Sequence, residues 1–196
     1  MLIASKRLFV LLFAILPLHA QSANTPTATS IGTGVVIAVT TDRSLYKPNE
    51  PIKIRAAILN GGSQPFYVIP TARFGYYGEG VFRPELRDTH GREILESYRV
   101  GGHSFVPENA DFVEYVQQYW ILLQPGCFYG VADKRFSGIK LSPGTYTLRV
   151  VYENSLIPWI SRGWTNDRLD ASTKKLNHPA ITGKFISQTV TFRVVQ

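Results

Sequence analysis

The chain has 196 residues, 44% of them hydrophobic and 18% charged, with 21 Lys and Arg against 14 Asp and Glu for a formal +7. That length suits one domain with a real core, and the positive charge is too scattered to argue for nucleic acid: beyond the first twenty residues the densest cluster is Lys174-Lys175. Cys127 is the single cysteine, which excludes an intramolecular disulfide.

Residues 1–20 read as a secretory signal peptide, with Lys6 and Arg7 as the basic region, Leu8 to Leu16 as the apolar core and Leu18-His19-Ala20 as the cleavage site. The expected mature chain begins at Gln21, is not membrane-spanning, and is exported to the periplasm or secreted. It keeps 19 Lys and Arg against 14 Asp and Glu, a formal +5. Residues 21–33 are rich in Ser, Thr, Ala and Asn and read as a flexible leader, so residues 34–196 are left as the folded domain.

Val35 to Thr40 is β-branched enough for a first strand, and the Pro-bounded stretch Ser44 to Pro51 stops it. In the next strand Ile52, Ile54, Ala56 and Ile58 alternate with Lys53 and Arg55 before a turn at Asn60-Gly61-Gly62-Ser63, and a strand at Phe66 to Ile69 follows. Thr71 to Gly80, holding Phe74, Tyr76 and Tyr77 among three glycines, is a loop. Val81 to Asp88 and Arg92 to Glu96 flank Thr89-His90-Gly91 as a hairpin, with Phe82 and Leu86 inward and Arg83, Glu85 and Arg87 outward. Residues 97–114 read as a long loop and Val116 to Leu123 as a strand, with no sustained helical period anywhere up to this point. After the turn Gln124-Pro125-Gly126, Cys127 is expected to be a buried small hydrophobe, followed by a strand at Phe128 to Val131 and a short element at Phe136 to Leu141.

Ser142-Pro143-Gly144-Thr145 suits a type II turn, and beyond it Tyr146, Leu148, Val150 and Tyr152 share one face of a strand, with Val151 as the misfit. Residues 155–182 then exceed what a last hairpin loop needs, and inside them Asn166 to Leu176 has the charge order of a short helix. Val190 to Val194 closes the domain.

The turn, the Gly, Tyr146 and then Leu148 resemble the tyrosine corner of immunoglobulin-like domains, with Leu148 where an antibody domain has a Cys. Tyr46-x-Pro48-x-Glu50 before an alternating strand, and Leu141-x-Pro143-Gly144-x-Tyr146-x-Leu148-x-Val150 near the end, resemble exported bacterial immunoglobulin-like domains, including the intracellular proteinase inhibitor type. The resemblance covers the two ends of the domain and carries fold rather than activity. It implies an all-β, immunoglobulin-like antiparallel β-sandwich of seven to nine strands, with a long insertion before the last strand.

Catalysis requires converging groups, and the sequence offers none in a recognisable spacing. His90, His103 and His178 are far apart, and the carboxylates Glu79, Glu85, Asp88, Glu93 and Glu96, mostly outward on a hairpin, are explained by pairing with Arg83, Arg87 and Arg92 on a solvated face. No cofactor or metal is expected. The aromatics Trp159, Trp164, Phe74, Tyr76 and Tyr77 are the candidate binding residues, because an exposed flat ring gives contact area at low entropic cost. The expected function is that of a non-enzymatic module binding a protein partner in the envelope or outside the cell, as an accessory subunit or inhibitor. The alternative is a carbohydrate-binding module using the aromatics of the 155–182 insertion.

Overall fold

The computed structural model describes residues 34–70, 81–95, 109–136, 139–154 and 165–196. These are mostly strand, in three sheets, with two short helices. The first sheet runs β1 (Val35–Thr41), β3 (Ile52–Asn60), β7 (Phe128–Phe136), antiparallel throughout. The second is ordered β2 (Leu45–Tyr46), β10 (Val190–Val194), β8 (Gly144–Asn154), β5 (Val81–Asp88), with β9 (Gly183–Ile186) on the far half of β8. Its pairs are antiparallel except β2 with β10, which is parallel. A third, of two strands, joins β4 (Phe66–Val68) to β6 (Ile121–Leu123).

One buried cluster draws Ile37 and Val39 from β1, Ile54 and Ile58 from β3, Leu86 from β5, Leu148 and Val150 from β8 and Phe192 from β10, so the two larger sheets share a core. The alternation read in β3 holds, with Ile52, Ile54, Ala56 and Ile58 all buried. Each such aliphatic side chain contributes roughly 1.5–3 kcal/mol relative to exposure. Pro84 is tolerated inside β5 because that strand is the edge of its sheet.

The expected tyrosine contact is present: Tyr146 is buried and its hydroxyl donates to the Ser142 carbonyl at 2.7 Å. The turn before it differs from expectation, since Gly144 has no positive φ. Type II geometry is found instead at Gln124-Pro125-Gly126-Cys127, where Gly126 has φ 75° and the Cys127 N–H donates to the Gln124 carbonyl at 3.0 Å. Cys127 itself is exposed, not buried. The turn holds its backbone, with its carbonyl accepting from Asn60 N, and leaves the side chain outside. Val151, the misfit in β8, is buried although it faces away from the core, because Arg83 of β5 and Ile186 of β9 flank it in register.

β9 and β10 run along the same side of β8 as two halves of one strand broken by a bulge. Where the ladder lapses, Ser187 substitutes: its N–H donates to the Val150 carbonyl at 2.9 Å and its hydroxyl accepts the Val150 N–H at 2.9 Å.

The largest departure from the sequence reading is α1 (Phe112–Tyr119), which occupies the end of the expected loop and the first half of the expected strand. Only Ile121 to Leu123 is strand. Asp111 caps the helix, its carboxylate accepting from Val113 N at 2.8 Å and Glu114 N at 3.1 Å, and Phe112 and Val116 present an i, i+4 apolar pair. The expected second helix is present as α2 (Asn166–Thr173), capped by Thr165, whose hydroxyl accepts from Arg168 N at 3.2 Å.

Candidate functional site

The residues beyond the two larger sheets assemble into a structure of their own. Phe112, Val116 and Trp120 from α1 and its end, Leu169 from α2, and Tyr67 and Ile69 from the β4 region form a second buried cluster. The Phe112 and Trp120 rings meet edge-on at 6.2 Å. The return arm of the insertion pairs with β4: Tyr67 N–H donates to the Pro179 carbonyl at 2.8 Å and Ile181 N–H to the Tyr67 carbonyl at 3.0 Å. Tyr67 also donates its hydroxyl to Asn177 Oδ1 at 2.9 Å.

Two fully buried asparagines pin this end of the molecule. Asn60 donates its side-chain amide to the Gln64 and Leu123 carbonyls, each at 2.9 Å, and accepts from Gly62 N at 3.0 Å. Asn154 donates to the Ile181 carbonyl at 2.7 Å and closes the base of the insertion. Their satisfied amides make a rigid frame, because a buried polar group left unpaired is costly.

Tyr115 is partly buried against the second cluster and its ring lies 4.8 Å from that of Tyr119, with the planes tilted by 41°, while Tyr119 is 54% exposed. Burial, then the neighbouring Tyr119, raises the pKa of the Tyr115 phenol. This pair escaped the sequence reading because α1 did. The signal available was Asp111 followed three residues later by Glu114, the spacing of a capping box. The residues singled out from sequence, Phe74, Tyr76, Tyr77, Trp159 and Trp164, lie outside the described residues.

The motif residues behind the family resemblance are structural here. Tyr46 is buried and donates to Asp42 Oδ1 at 2.6 Å, and the Arg43 guanidinium lies over its ring at 5.4 Å. Glu50 accepts from Lys47 N at 2.8 Å and pairs with Arg43. Burial pushes the Asp42 carboxyl upward, but hydrogen bonds from Tyr46 and the Lys53 N–H, with Arg43 beside it, outweigh that and hold it below its ordinary value. Burial, and then the bond to Asp42, raises the Tyr46 phenol.

The hairpin carboxylates divide. Asp88 ties the turn by accepting from His90 N at 2.9 Å, Arg92 N at 3.0 Å and Arg92 Nε at 3.1 Å. Glu85, expected on a solvated face, is buried: Oε1 meets Arg83 at 3.0 Å and Oε2 meets Arg149 at 2.5 Å, so flanking guanidinium groups cover it. His90 is exposed on its turn and the His178 ring lies 6.3 Å from that of Tyr67, while His103 is outside the described residues. Among the described residues no group of three or more His, Cys, Asp and Glu side chains stands together as a metal site, and no helix is long and apolar enough to cross a membrane. No protein-family model, curated protein or solved structure matches the chain.

Proposed function

We propose that this chain is an exported, non-enzymatic, immunoglobulin-like module that binds a protein partner through the end of the molecule built by α1, α2 and the insertion. The observation that carries this reading is the second buried cluster. Residues that the two larger sheets do not require fold into a supported platform, on which the partly buried Tyr115 backs the exposed Tyr119. Aromatic side chains on a rigid base are favoured partner anchors, since little conformational freedom remains to be lost on binding.

The immunoglobulin-like assignment is supported by the strand order. A short β2 beside the closing strand β10, then β8 and β5, faces a sheet of β1, β3 and β7, and the Tyr146 hydroxyl returns to Ser142. A binding rather than catalytic role is supported by the structural engagement of Asp42, Glu50, Glu85 and Asp88, each held by hydrogen bonds or ion pairs.

The test is capture of partners from envelope and secreted fractions with the exported protein as bait. Tyr119→Ala is expected to weaken capture by about 1 kcal/mol or more while changing stability by less than about 0.5 kcal/mol. Trp159→Ala and Trp164→Ala are the companion variants. Undiminished capture by all three variants would remove this surface from consideration. Quenching of tryptophan fluorescence by soluble glycans, with no protein captured, would transfer the function to sugar binding.

A further inference from the structure

We draw no further inference here: the strongest candidate, the apolar groove on the outward face of the β1–β3–β7 sheet, floored by Ala38, Ala57 and Gly130 beside the exposed Phe128, is an unpartnered sheet face, and nothing in the structure shows what covers it.

Discussion

The tyrosine at position 146 shows how one residue can fix a strand's entry. Its ring is buried against Phe192 at 5.7 Å and its hydroxyl reaches back four residues to Ser142. Tyr146→Phe keeps the ring and removes the bond, so a loss of about 1 kcal/mol is expected, read as a lower denaturation midpoint with unchanged cooperativity. An unaltered midpoint would strip the corner of energetic importance. Tyr46 performs a related task at the other end of the chain, and its partner makes that task depend on pH. Asp42 is held below its ordinary pKa, so its contribution is present above roughly pH 4 and is lost as pH falls through the lowered folded value. Tyr46 is shifted upward, so its contribution is present below roughly pH 10 and is lost as pH rises through the raised folded value. Asp42→Asn should therefore flatten the acid limb of a stability profile measured by chemical denaturation. An acid limb as steep as that of the unmodified protein would assign it to other carboxylates.

At the scale of elements, legibility followed the range of the interactions involved. β3 was readable because Ile52, Ile54 and Ile58 repeat with the period of a half-buried strand, and α2 because its charges order along a single short segment. α1 was misread because its apolar residues are justified only by tertiary partners: Phe112 and Val116 pack on Tyr67, Ile69 and Leu169, which lie far away in the chain. Locally, Val116, Tyr119, Trp120 and Ile121 carry strand propensity, and nothing within the segment outweighs them except the Asp111 cap. That cap is consequently a strong point of attack. Asp111→Ala leaves the N–H groups of Val113 and Glu114 without their acceptor and is expected to cost about 1 kcal/mol, seen as faster amide exchange across Phe112 to Tyr119. Exchange unchanged in that segment would mean that packing alone sets the helix. The candidate aromatics on α1 were hidden for the same reason as the helix that carries them.

Taken whole, the described residues contain two hydrophobic clusters of unequal size, and this division bears on how the proposed binding end relates to the scaffold. The larger cluster is cross-linked by strands from every part of the chain, whereas the smaller one is assembled from three separated segments and anchored through β4, Asn60 and Asn154. Small satellite clusters open more readily than the main core, since fewer buried contacts must be lost. Leu169 is the test residue, because it is buried in the smaller cluster and belongs to no sheet. Leu169→Ala is expected to cost about 2–5 kcal/mol in local stability. Amides of α1 and α2 should then exchange much faster, while those of Leu148 and Val150, in the centre of β8, should keep their protection. Partner capture should fall with the loosening of the small cluster, even though Leu169 itself would touch no partner. A uniform loss of protection across both clusters would show that they unfold as one unit, and the end built by α1 and α2 would then be part of the scaffold rather than a platform resting upon it.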